Sequence, residues 1–418
     1  MKNQITAAQM GTGNRLIKQL GRCMLFLYTV ASYVSYSDRV PTSLNSLTLF
    51  ALLGFGIINF AINNRFRTNN LHFIWYSVFT AFSFVWIVVL ELYWPGAEWA
   101  SSLYQVAVVL GLSLSFSQFL ESKKDIRMVC YAYMLGAVLL MGLLAMDNRL
   151  AEDARLGDTL MGNSNIFAGM YMMAAIMSIW MALNGKNAWE KLLFWAGIVV
   201  IFYGLLLSGG RKYVLIPILV LYIMLLLRKD KRGRSHVLRY TVLIVVLLGG
   251  VIWLMMTNET LYNSVGYRME QLFNMIKGEG KIGSSNELRK NMMRLAFTAG
   301  FESPVWGHGF DAFKNLGRQE LQFYAYSHNN WTELWYNYGI IGVVVYYWLY
   351  VKLVTGFWKY RNTAQDLASF GIAAIVSTFV FEYGAVTYHG QPNQMLICIC
   401  AALLVICRQE RESSDGKD

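Results

Sequence analysis

The chain has 418 residues, 56% hydrophobic and 15% aromatic, with only 15% charged, which excludes an ordinary soluble globular protein. Its net charge of +11 does not point to nucleic acid, because the basic residues form short clusters between apolar segments, as the cytoplasmic loops of membrane proteins require. Cys23, Cys130, Cys398, Cys400 and Cys407 sit in or beside apolar segments without histidine at metal-ligand spacing, so neither a disulfide framework nor a zinc site is expected.

In chain order, the basic start Met1 to Arg22 leads into an apolar run from Cys23. No small-x-small cleavage pattern follows, and the run reads as a retained first helix. A membrane helix needs about 20 mostly apolar residues. On that rule roughly twelve spans begin near Cys23, Ser46, Phe73, Leu103, Met128, Ile166, Leu192, Val214, Val242, Leu334, Leu367 and Met395. With a cytoplasmic N-terminus, the inside loops hold Arg65 and Arg67, then Lys123, Lys124 and Arg127, then Lys186 and Lys191. They continue with the run Arg228 to Arg234 plus Arg239, and with Lys359 and Arg361. The opposite loops hold Asp38 and Arg39, Glu91 and Glu98, and the mixed stretch Asp147 to Asp158; the exception is the pair Arg211 and Lys212. The charge asymmetry puts both termini in the cytoplasm and the polar stretch 257–333 outside. The expected fold is therefore all-α: one integral membrane domain over 1–418, with about twelve transmembrane helices and a large, partly helical extracytoplasmic loop before the tenth. No internal repeat, low-complexity tract or soluble domain is visible.

Within that loop, Val265, Met269, Leu272, Phe273 and Ile276 recur at helical spacing and predict an amphipathic surface helix. Ser284 with Glu287 forms a capping box for a second helix running to Ala299, and Ser327 is expected to cap the helix that becomes span ten.

The loop also concentrates the chemistry. His328 is expected in the first turn of that tenth helix, where the positive end of the dipole keeps imidazole neutral and able to accept a proton. The bland alternative is an interfacial histidine that only caps its neighbours. Arg211 and Lys212 follow two glycines in a very short turn on the side that basic residues avoid, which suggests an anionic partner; a snorkelling pair on lipid headgroups is the competing account. Arg289 lies on the capped loop helix near Lys290 and Arg294. With Arg211 it could grip a diphosphate bidentately without metal, although alone it reads as a solvated helix face. Arg155 is a third cationic candidate. Asn163 and Asn165 could meet sugar hydroxyls or cap span six. His308, between two glycines, reads as structural; His389 could line the same cavity, and Glu302 and Glu333 are candidate orienting carboxylates. No carboxylate cluster suggests a divalent cation, so a metal-independent site without cofactor is expected.

Ser208-Gly-Gly-Arg-Lys212, then Arg289 upstream of Pro304-Val-Trp-Gly-His-Gly-Phe310, then His328-Asn-Asn-Trp-Thr-Glu-Leu-Trp-Tyr-Asn-Tyr-Gly-Ile-Ile-Gly342 resemble the O-antigen ligase and polymerase family. The matching motifs run from about Gly162 to Gly342, and the turn departs from the Ser-x-Ser-Arg-Gly of many relatives. The resemblance implies an inverting glycosyltransferase of the bacterial inner membrane that takes glycan from an undecaprenyl-diphosphate carrier on the outer face. His328 would activate the acceptor hydroxyl, and Arg211 and Arg289 would bind the diphosphate. A flippase and a chain-length regulator of the same pathway would be partners. Polymerisation into capsule, exopolysaccharide or O-antigen is the first reading, and transfer of a finished glycan to lipid A core or another acceptor is the second. A lipid-linked oligosaccharide transporter is the reading from another class, disfavoured by spans nearly free of central charge.

Overall fold

The computed structural model describes residues 2–63, 71–93, 100–151, 155–228, 236–276 and 284–415. The basic clusters expected at 65–67 and 229–234, Glu98, and part of the stretch 147–158 lie outside them. The helices are α1 (Lys2–Val34), α2 (Ser43–Asn63), α3 (Leu71–Tyr93), α4 (Ala100–Phe119), α5 (Lys123–Met146) and α6 (Ser164–Asn184). They continue with α7 (Ala188–Leu207), α8 (Arg211–Leu227), α9 (Val237–Thr257), α10 (Asn330–Tyr360), α11 (Gln365–Phe381) and α12 (Gln391–Asp415). Shorter helical pieces lie in the connections, and no strand occurs among the described residues.

A helix therefore stands at each of the twelve predicted positions. Nine helices among the described residues are long and apolar enough to cross a membrane; the expected count of twelve is larger. Those outside the nine are α1, whose first half is polar, α3, with its shorter apolar part Leu71–Val85, and α8, which has 17 residues. Helices suit such an environment because each satisfies its own backbone groups. Burial orders the bundle: 83% of the apolar window of α6 is enclosed by protein, against 6% for α9, so α6 is the central post and α9 a peripheral one. α6 packs against α5, α7 and α8.

Asn163 caps α6 by accepting the Asn165 N–H at 2.9 Å, the capping role foreseen for it. Arg127 pairs with Glu190, while Asn59 donates to Gln118 at 2.9 Å, so these buried polar groups meet partners inside the bundle.

The long connection between α9 and α10 contains helix. A π-type turn at Tyr262–Gly266 buries Val265 and leads into Tyr267–Ile276; Met269 packs on the main core and Phe273 stays exposed. The second helix, Ser284–Ala299, has the predicted bounds. Its Met292 and Ala296 share a small core with Ala312, Phe313 and Tyr336, which docks it onto the first turns of α10.

Two corrections concern α10. It is broken at Gly339 (φ 60°, ψ −163°), although the apolar run reads as one continuous span. The break frees carbonyls and N–H groups that a helix would otherwise pair internally, and the segment Pro304–Gly309 takes them up. The His308 and Gly309 N–H groups donate to the Tyr336 and Asn337 carbonyls at 3.0 and 2.9 Å, while Ile340 N–H donates to the Pro304 carbonyl at 2.9 Å. Both Gly339 and Gly307 (φ 75°) are needed for this stitch, since a Cβ on either would lie within 2.5 Å of the opposing segment's backbone. The second correction is the cap: Asn329, not Ser327, begins α10, its side chain accepting the Trp331 and Thr332 N–H groups at 2.9 and 3.0 Å. Asparagine's amide oxygen reaches both donors. Ser327 instead turns its hydroxyl onto the Asn329 carbonyl at 2.9 Å.

Candidate active-site cleft

His328 precedes the first helical residue of α10 and sits in the left-handed region (φ 63°), a conformation histidine tolerates better than most residues. Its place outside the first turn removes the helix-dipole argument for its charge state. The neighbouring residues fix it instead. Ser327 N–H donates to the buried Glu333 carboxylate at 2.5 Å, so Glu333 does orient the segment, as a candidate orienting carboxylate should. The Tyr326 ring meets the imidazole edge-on with centroids 4.5 Å apart.

The two asparagines that follow grip the connection between α11 and α12. Asn329 Nδ2 donates to the Tyr383 carbonyl at 3.0 Å, and Asn330 Oδ1 accepts the N–H groups of Thr387 and Tyr388 at 2.9 and 3.1 Å. That connection is anchored from below by Glu382, which is fully buried. Its carboxylate accepts hydroxyls from Tyr350 at 2.6 Å, Tyr347 at 2.9 Å, Tyr346 at 3.1 Å, and from Thr387. A buried carboxylate persists when its lone pairs are filled in this way.

The result is a cleft of about 170 Å³. One wall is cationic, with Lys212 from the first turn of α8 and Arg289 from the loop helix. Amides also line it, Asn163 and Asn165 at the start of α6 and Asn393 at the start of α12, together with His328. Tyr213, Tyr326, Phe381 and the loop residues Ala385, Val386 and Pro392 complete it. The Lys212 ammonium donates to the Gly384 carbonyl and lies 4.8 Å from the Phe381 ring centroid and 5.1 Å from that of Tyr213. These contacts hold the Lys212 side chain in place, while burial and then the Arg289 charge lower its pKa to about 7. Burial lowers the His328 pKa to about 4, and the positive charges of Arg289 and Lys212 push it the same way. The imidazole is therefore neutral at ordinary pH. Burial raises the Tyr326 phenol.

Lys212 and Phe381 also line a second, apolar groove of about 590 Å³ between α8, α9 and the end of α11, walled by Leu215, Leu219, Ile244, Leu248 and Val380. The polar cleft and the apolar groove thus meet at one lysine.

Of the residues singled out in the sequence, the cleft brings together His328, Arg289, Lys212 and Asn163. Arg211 and Arg155 are not in its lining. Arg211 heads α8 beside Lys212, and Arg155 Nε donates to the Ser208 carbonyl at 3.1 Å, bracing the turn that presents them. His308 is structural, stacked on Tyr336 with centroids 4.2 Å apart, and Glu302 reaches only its edge, at 3.8 Å. His389 does not line the cleft; Pro392 and Asn393 do. Sequence reasoning passed over these two, although a polar Gln-Pro-Asn opening an apolar span was visible. Among the described residues no group of three or more histidines, cysteines or acids stands together as metal ligands would.

No curated protein matches the chain. A family model described as O-Antigen ligase matches residues 196–347. Together with the apolar helices, the match makes this an integral membrane protein. The matched segment holds Lys212, Arg289 and His328 of the cleft, and over that segment the chain is similar to the O-antigen ligase family.

Proposed function

We propose that the protein is a glycosyltransferase that polymerises oligosaccharide repeat units carried on undecaprenyl diphosphate, working on the outer face of the bacterial inner membrane. The observation that carries this reading is Lys212, which with Phe381 lines both the cleft that holds Arg289 and a neutral imidazole and the apolar groove. A donor with a diphosphate between a sugar and a long hydrocarbon needs these two environments side by side. Lys212 and Arg289, with Arg211 on the same turn, hold the diphosphate; the groove takes the lipid chain.

His328 accepts the proton of the acceptor hydroxyl as its oxygen attacks the anomeric carbon. The new C–O bond forms while the bond from that carbon to the diphosphate oxygen breaks. The electron pair leaves with the diphosphate, whose growing charge the cations stabilise. Attack opposite the leaving group inverts the anomeric centre. No metal or cofactor is required for this step. The amide wall of Asn163, Asn165 and Asn393 suits sugar hydroxyls.

The arrangement ties the base to the donor. Burial first, and then the charges of Arg289 and Lys212, depress the imidazole pKa in the free enzyme, and a bound diphosphate offsets the charges. The acid limb of the kcat profile is accordingly expected at higher pH than that of kcat/KM. Arg289→Gln should move the kcat/KM limb upward as well, because one of the charges that lowers the pKa is gone. Coincident limbs in the wild type would remove the electrostatic link between donor and base.

Product size decides the acceptor. Purified protein given a defined undecaprenyl-diphosphate oligosaccharide, and nothing else, is expected to yield a ladder spaced by one repeat. Transfer only after a core lipid is added would make it a ligase. Silence under both conditions would sink glycosyl transfer.

A further inference from the structure

The largest cavity described, about 660 Å³, lies at the opposite end of the bundle from the cleft and has no part in the chemistry above. α6 leads from one to the other: Asn163 and Asn165 line the cleft, and Asn184 ends the helix beside the cavity, about 30 Å away at 1.5 Å per residue. The cavity is a groove between α1, α5 and α7. Phe26, Met128, Met134, Leu135 and Leu193 form its apolar floor and sides, and Lys124 and Lys186 stand at its lip, both exposed.

The charges of this lip do not cancel. Arg127 and Glu190, which also line it, are spent on each other, and Glu190 further accepts the Tyr131 hydroxyl at 2.6 Å and the Lys186 N–H at 2.5 Å. Lys124 and Lys186 have no ion-pair partner among the described residues. Next to them Trp189, Leu192 and Leu193 are exposed, the surface of a protein meeting the boundary between headgroups and hydrocarbon.

We infer that this groove is a binding site for one anionic phospholipid, its phosphate held by Lys124 and Lys186 and an acyl chain laid along Met128, Met134 and Leu135. Charge complementarity selects the headgroup. The apolar walls favour a lipid over a soluble anion. A basic residue near an anionic membrane surface contributes about five-fold in affinity, so the pair is worth roughly 30-fold.

The test is native mass spectrometry of the full chain released from detergent carrying phosphatidylglycerol or phosphatidylcholine. The wild type should retain one phosphatidylglycerol beyond the background seen with phosphatidylcholine. Lys124→Ala/Lys186→Ala should lose that preference by roughly 30-fold, and Lys124→Arg/Lys186→Arg should keep it, since charge is what is read. Both lysines are exposed, so neither double variant threatens folding. Equal retention of the two lipids, an unchanged alanine variant, or displacement of the lipid by glycerol phosphate at matching concentration would each overturn the site.

Discussion

His328→Asn is expected to reduce glycan transfer by about 10²- to 10⁴-fold, the usual contribution of a positioned general base. Asparagine is the informative replacement because it also tolerates the left-handed backbone at this position (φ 63°), whereas alanine would add strain of about 1–2 kcal/mol and confuse the two effects. Membrane insertion, yield and melting temperature should match the wild type. The neighbouring groups depend on the backbone of Ser327 and on Asn329, not on the imidazole, so the cleft survives the change. Transfer measured on purified, defined lipid-linked donor is the check. Activity within a few-fold of the wild type would remove His328 from the proposed role and leave its neutral ring as a wall of the cleft.

The second large effect falls on stability. Gly339→Ala places a Cβ 2.5 Å from the Val305 carbonyl carbon and oxygen and 2.7 Å from the Trp306 nitrogen, all main-chain atoms that cannot swing aside. Its φ and ψ also lie in a region that only glycine occupies readily, at a cost of about 1–3 kcal/mol before the clash is counted. The variant is expected to melt well below the wild type in detergent, and the stitch of Pro304–Gly309 onto α10 should fail with it. Gly249→Ala is the matched control. It sits within α9, a Cβ there meets nothing within 4 Å, and alanine suits a helix better than glycine. An unshifted melting curve for Gly339→Ala would show that the break in α10 is not built as described.

How far the sequence carries can be judged from these residues. The helix positions were legible because hydropathy acts over about 20 residues at a time and needs no knowledge of neighbours. Asn163 as a cap was legible for a related reason: it acts on its own backbone within three residues. The break at Gly339 was not, since Tyr-Gly-Ile-Ile-Gly reads as membrane helix until one knows that a segment more than thirty residues upstream supplies the missing hydrogen bonds. Ser327 reads as the cap and Asn329 is the one, a choice tied to contacts with Glu333 and Tyr383 that no local pattern carries. In the cleft lining, Lys212, Arg289 and His328 stood out by position and type, whereas Arg211 and Arg155, singled out on the same grounds, are not part of it. Asn393 and Glu382 did not stand out. Their importance comes from a loop that folds back beside a distant helix, a long-range event without periodicity.

The grip of Asn330 on Thr387 has a bearing on how the protein is made. The partners are 57 residues apart in sequence, and α10 and α11 lie between them. A ribosome therefore releases His328 into the membrane well before the loop that shapes its surroundings exists. Until α11 has inserted and Glu382 has met its tyrosines, the half-built cleft lacks one wall. The cleft of a nascent chain is thus completed only when that loop arrives.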